Sequence, residues 1–102
     1  MIRVTVSYPA APGKRFDHAY YQNNHRALIV EKLTPHGLVR CEMDQCLADG
    51  AGKAPPIVAS AHMLFNDLAG FQAGMGASGK ALMGDVPNYT DIVPTIVVSE
   101  MK

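Results

Sequence analysis

The chain has no surplus of either charge and no block of like charges. Its nine Lys and Arg cancel its nine Asp and Glu, so nothing in it can track a phosphate backbone and no nucleic acid partner is expected. It also lacks any apolar run near the ~20 residues that cross a bilayer. The N-terminus enters a strand-like pattern at Ile2 where a secretory leader would carry a basic and then an apolar region. A cytoplasmic location without membrane association is therefore the expectation. Cysteine is scarce. Cys41 and Cys46 lie five apart in one expected strand, which sets their Cα atoms roughly 17 Å apart. A disulfide tolerates about 7 Å, so both are expected to be reduced and structural. Nucleophile motifs are missing too, with no Gly-x-Ser-x-Gly elbow and no Cys–His pair. His18 and His25 share a helix face but stand ~10 Å apart along its axis, too far to hold one ion. His36 follows Pro35 in a turn. No metal and no cofactor is expected.

What is present is a globular composition, with 48% hydrophobic and 18% charged residues in 102, enough for one domain over residues 1–102 with a modest core. Ile2 to Tyr8 alternates apolar and polar, as a half-buried strand does. Pro9, Pro12 and Gly13 end it. Asp17 is a good N-cap, and Phe16 can staple onto Tyr21. The helix it opens is expected to run to about Leu33, closed by Pro35 and Gly37. A second strand is expected from Leu38 to about Leu47, and a third from Ile57 to Phe65. Asn66-Asp67 then caps a helix from Leu68 to about Met75, weakened by Gly70 and Gly74. Ser78 can cap a short further helix ending near Gly84, and the last strand is expected from Ile92 to Ser99.

The order β-α-β-β-α-β predicts an α+β, ferredoxin-like arrangement, a four-stranded antiparallel sheet with both helices on one face. The third strand puts Ile57, Ala59, Ala61, Met63 and Phe65 on one side, and Val58, Ser60, His62 and Leu64 on the other. Two helices cover only one face, so a fairly apolar face is left over. A second copy packed sheet to sheet removes it, which predicts a homodimer. Because that face also holds His62, Ser60 and Thr95, a partly polar cavity is expected there.

Gly74-Met75-Gly76-Ala77-Ser78-Gly79 matches G-x-G-x-x-G letter for letter. It follows a helix instead of a strand, with too little chain after it for a dinucleotide fold, and reads as a flexible helix break. Asn88-Tyr89-Thr90 fits a glycosylation sequon that has no meaning without a secretory leader. The chemistry that remains is His25 with the loop Asp85 to Asp91. Turning the first helix at ~100° per residue places Tyr21, His25, Leu28 and Ile29 on one face, so a titratable imidazole sits in an apolar stripe beside a phenol. The loop offers Asp85, Asn88, Tyr89 and Asp91, groups able to orient an imidazole or a substrate hydroxyl. Aspartates in turns also commonly shape the loop alone, and a buried histidine can be structural. Both alternatives stand at this point.

The same stretches resemble the EthD family, named for a protein associated with bacterial ethyl tert-butyl ether degradation. The resemblance is carried by Tyr8-Pro9, Phe16-Asp17, Tyr20-Tyr21 with His25, and Asp85-Val86-Pro87-Asn88-Tyr89. It implies a dimeric α/β barrel, two ferredoxin-like sheets closed on each other. It further implies an oxidoreductase, a cofactor-free monooxygenase type of enzyme, acting on a small hydrophobic, oxygen-bearing phenolic or enolic compound. Related members are isomerases, decarboxylases or haem-degrading enzymes. His25, Asp85 and Tyr89 are the matching catalytic positions and Asp91 a weaker one, with Tyr21, His62, Asn88 and Asp91 expected around the substrate. A non-oxidative isomerase or decarboxylase using the same base is the rival enzyme. A non-catalytic module that holds a hydrophobic metabolite for an oxygenase is the rival of another class.

Overall fold

The computed structural model describes residues 1–102. Four strands, β1 (Ile2–Pro9), β2 (Leu38–Gln45), β3 (Ile57–Phe65) and β4 (Thr95–Glu100), form one sheet in the order β2-β3-β1-β4. Every neighbouring pair is antiparallel, and with the two helical layers this is the ferredoxin-like fold the element order predicts. The first layer is a continuous run over residues 18–36. It comprises α1 (His18–Tyr20), a π turn (Tyr21–His25), α2 (Arg26–Leu33) and a 3₁₀ turn (Thr34–His36). Asp17 caps it as expected, its carboxylate accepting the Tyr20 N–H at 3.0 Å. Phe16 packs edge-on against Tyr21 with centroids 5.0 Å apart, which is the expected staple. Gly37, at φ 92°, ends the run in the left-handed conformation that suits glycine.

The second layer is α3 (Leu68–Asp85), one helix of 18 residues capped by Asp67. The break expected at Gly74–Gly79 and the separate helix from Ser78 are therefore corrected. A Cβ on Gly70 would come within 2.3 Å of the His36 carbonyl oxygen, and one on Gly74 within 3.0 Å of Leu33. These glycines let α3 close onto the end of the first layer, and that packing outweighs a helix cost of about 1 kcal/mol each.

The last strand is also corrected. It starts at Thr95, because Pro94 has no N–H to give to a ladder. Ile92 is instead buried with Tyr89, while Val93 is 83% exposed. β2 ends at Gln45, short of Leu47. Cys41 and Cys46 are both free, and burial pushes the Cys41 thiol up to about 11.

Between sheet and helices the core has two lobes. Val4, Leu33, Met63 and Phe65 anchor one, and Tyr8, Tyr21, Ala61 and Tyr89 anchor the other. On the opposite side of the sheet, Glu42 and Thr5 flank His62, and Asp44 lies across from Ser60. That face is more polar than the sequence suggested. Leu64 and Val97 supply its apolar part, set among Arg3, Thr5, Arg40 and Glu42.

Candidate functional site

An apolar cavity opens where the two lobes meet, between the helices and the sheet. It is lined by 15 residues, of which 13 are hydrophobic, and the other two are His25 and Pro94. Its volume is about 60 Å³, several times the roughly 10–15 Å³ that one water needs by the same measure. It therefore admits a small compound and leaves little room for solvent beside one. Val4, Val6 and Tyr8 of β1 and Ala61 and Met63 of β3 supply the floor. Met83, Val86, Pro94 and Ile96 lead outward, and Met83 and Ile96 are 46% and 44% exposed.

The cavity thus lies on the helix side of the sheet. His62 lies on the other face, where the expected partly polar cavity would need a second copy to close it, and does not line this one. His62 faces away from the helices and pairs with Asp44 at 3.3 Å, within reach of Ser60. Its neighbours alternate across the strand with Ala61 and Met63, so the pleat alone separates it from the cavity.

His25 arrives from the π turn. Its ring is buried, stacked on Tyr21 at 5.8 Å and tilted against Tyr89 at 4.7 Å. Its Nδ1 meets Asp85 Oδ2 at 2.8 Å. Asp85 is the last residue of α3, and its other oxygen accepts the Tyr20 hydroxyl at 2.7 Å and Asn88 Nδ2 at 2.9 Å. Burial opposes the charge on Asp85 and is the largest single influence on it. The hydrogen bonds from Tyr20, Asn88 and His25 together outweigh burial and hold the carboxyl below its ordinary value. An ionised carboxylate only accepts, so His25 Nδ1 carries the hydrogen, and in the neutral imidazole Nε2 is then the acceptor.

The loop that follows is fixed from behind. The Asp17 N–H bonds to the Tyr89 carbonyl at 2.7 Å, and the Thr90 hydroxyl donates to the Arg15 carbonyl at 2.7 Å. Arg15 also reaches the Pro87 carbonyl. Phe16 and Thr90 form an isolated bridge. The segment before the first helix is thereby clipped to the segment after α3, which seats Tyr89 and Asn88 beside His25.

The structure brings together five of the seven residues singled out from sequence: His25, Asp85, Tyr89, Tyr21 and Asn88. Tyr89 is fully buried, and its hydroxyl is bonded to that of Tyr8. Burial pushes the Tyr8 phenol above the usual tyrosine value and the Tyr89 phenol well above it. Tyr21 lines the cavity, and its buried hydroxyl has no partner. Asp91 stands apart. It is half-exposed, pairs with Arg15 at 3.5 Å, and lines only a shallow depression outside the mouth. Two participants were assigned no role from sequence, Tyr8 and Tyr20. Tyr8 lies 81 residues from its partner, and Tyr20 faces Asp85 only because the helix is locally wound as a π turn, which no periodicity argument anticipates.

No protein-family model matches the chain, and no curated protein does. Solved structures do. The crystal structure of an EthD-like protein from Ralstonia eutropha is 36% identical, with a TM-score of 0.90 over 97% of this chain and 89% of that one. An ethyl tert-butyl ether degradation (EthD) family protein from Bacillus halodurans is 20% identical, with a TM-score of 0.69 over 100% and 99%. A dimeric ferredoxin-like protein from an uncultured marine organism is 12% identical, with a TM-score of 0.54 over 99% and 95%. The last two likenesses show the fold.

Proposed function

The chain belongs to the EthD family, and from that premise we propose that it is a small homodimeric enzyme whose His25 takes a proton from an apolar, oxygen-bearing compound. The observation that carries the reading is the His25–Asp85 bond at the wall of an otherwise hydrophobic cavity. A base needs a defined tautomer, a free nitrogen toward the substrate and a dry site, and this arrangement supports all three. Tyr8 spends its hydroxyl on Tyr89 and Tyr20 spends its own on Asp85. No cationic side chain lines the cavity. A neutral phenol or enol suits it better than a carboxylate or a phosphate, which would enter without a counter-charge.

The oxidative half of the proposal comes from the family. A phenolate or enolate made by His25 is electron-rich enough to reduce molecular oxygen itself, so the substrate supplies the electrons of a monooxygenase-type reaction. Tyr21 and Asn88 border or brace the substrate site, with Asp85 and Tyr89 orienting His25. The uncovered sheet face, with its exposed Val97, supports a homodimer, which would be a closed α/β barrel of two single-domain chains.

The test is oxygen uptake across a panel of phenolic and enolic compounds, followed by His25→Gln on whichever is consumed. Turnover lost in a folded His25→Gln chain supports the base. Product formed without oxygen uptake moves the reading to isomerisation or decarboxylation. Active His25→Gln protein ends the assignment of His25 as the base, and ligand binding without turnover across the panel leaves a binding module.

A further inference from the structure

Asp85 is fully engaged, and one of its partners stands five positions before the other. Oδ2 meets His25 Nδ1 at 2.8 Å, while Oδ1 accepts from Tyr20 at 2.7 Å. In an α-helix, at about 100° per residue, side chains five apart point roughly 140° away from each other. Two such side chains cannot reach one carboxylate. Here residues Tyr21–His25 form a π turn, and the Arg26 N–H bonds back to the Tyr21 carbonyl, five residues earlier. A turn closed from i to i+5 brings residue i beneath residue i+5. Tyr20 and His25 then project from the same face toward the end of α3.

We propose that Tyr20 is a positioning residue of this site. The π turn sets Tyr20 and His25 over the two oxygens of one carboxylate, so that Asp85 meets His25 through Oδ2 alone and His25 keeps Nε2 for the cavity. Tyr20 is itself held twice. Its N–H is bonded to the Asp17 cap at 3.0 Å, and its ring stacks on Tyr89 with centroids 6.2 Å apart and planes 23° apart. The cap at the helix start thus fixes the phenol, the phenol fixes the carboxylate, and the carboxylate fixes the imidazole. Asn88 is the second donor to Oδ1, at 2.9 Å, from a half-turn beyond α3. With that oxygen doubly bonded, rotation of the carboxylate out of this plane would break two hydrogen bonds at once. The low-lying Asp85 carboxyl agrees with this, since Tyr20 leads the groups that pull it down against burial. The consequence for turnover rests on His25 being the base, whereas the geometry does not.

The test uses Tyr20→Phe in the full chain, which removes the hydroxyl and keeps the ring on Tyr89. Carbon-13 titration of Asp85 and nitrogen-15 shifts of His25 are read beside the melting temperature. In the native chain, neutral His25 is expected as the single Nδ1–H tautomer. In Tyr20→Phe the Asp85 titration moves upward, the Nε2–H form appears, and kcat on any substrate found falls about tenfold while KM stays within about twofold. A residue that merely packs would lower the melting temperature and leave titration and tautomer as they were, and that result overturns the proposal. If Tyr20→Phe does not fold, the native chain decides. A slowly exchanging Tyr20 hydroxyl proton coupled to Asp85 supports the proposal, and a freely exchanging one refutes it. Active His25→Gln protein with a shifted Tyr20→Phe titration ends the catalytic reading alone. An inactive His25→Gln protein with a silent Tyr20→Phe ends only the positioning role.

Discussion

The molecule contains the same pair of residue types twice, once on each side of its sheet. His25–Asp85 lies on the helix side at 2.8 Å, with side chains 7% and 12% exposed. His62–Asp44 lies on the other side at 3.3 Å, with side chains 33% and 60% exposed. Their surroundings differ more than their distances. Asp85 has two further donors, and its histidine borders an apolar cavity. Asp44 has only the Ser60 hydroxyl at 3.4 Å, among charged neighbours such as Glu42. In water-rich surroundings a pair like His62–Asp44 contributes about 0–1 kcal/mol. Inside, the same chemistry is held in one geometry, because a buried carboxylate with a lost partner is costly. A histidine beside an aspartate is thus no site in itself; enclosure and supporting bonds make one.

The sharpest way to break this contrast is to exchange the histidines' fates. His25→Ala is expected to cut turnover by ~10²–10⁴-fold with the fold retained. His62→Ala should stay within about twofold of the native rate. Steady-state kinetics on the same substrate decides, and equal losses would abolish the distinction. The aspartates give the next effect. Asp85→Asn should cost about 1.5–3 kcal/mol in denaturant unfolding at neutral pH, the scale of hydrogen bonds to an ionised group, while Asp44→Asn stays within about 0.5 kcal/mol. The acid limb carries the same signature. The folded Asp85 carboxyl lies below the ordinary value near ~3.9. Its contribution is therefore fully present above that value and is lost as pH falls through the folded one. Native stability should fall more steeply than that of Asp85→Asn on acidification below about pH 4. Parallel curves would mean that the pair carries no linkage.

The outer face provides a third, smaller test. Dimerisation through it should give a particle of about twice the 11.0 kDa of one chain by sedimentation. Val97 is 53% exposed there and pairs with Thr5 across the sheet. Val97→Glu should weaken the dimer by roughly 10–100-fold, since a buried unpaired charge is poorly tolerated, and should leave the chain folded. A native chain that sediments as a single copy would remove the barrel from the proposal.

Much of this was legible in the sequence, and the failures share a cause. Strand alternation gave β1 and β3 nearly to the residue, and the Asp17 cap and Phe16–Tyr21 staple are local chemistry. The family resemblance pointed to His25, Asp85 and Tyr89, and they lie within one cluster. What failed depended on partners far along the chain. Alternation puts His62 with Ser60 and Thr95 on one face of the sheet without saying which face the helices enclose. Tyr20 was passed over because a 100° wheel turns it away from His25, and only the π turn brings it back. The glycines of α3 looked like a break because propensity is a local quantity. Their purpose, close approach to Leu33 and His36, is not.

Those glycines carry the last and smallest prediction, within the covered side itself. Along α3 the glycines divide by what stands opposite them. Gly70 and Gly74 face His36 and Leu33, whereas a Cβ on Gly76 would meet nothing within 4 Å. Gly76→Ala adds only helix propensity and restricts only the unfolded chain, so it should raise stability by about 0.5–1 kcal/mol. Gly74→Ala has the same propensity gain but needs Leu33 and His36 to give way by a few tenths of an ångström, so its net gain should be smaller. Gly70→Ala should reverse the sign, because the His36 carbonyl at 2.3 Å belongs to backbone that cannot rotate aside. Denaturant midpoints for the three variants order them. If all three stabilise alike, α3 does not lie against the first helical layer as closely as the structure places it, and the wall of the cavity beside His25 is looser than the site requires.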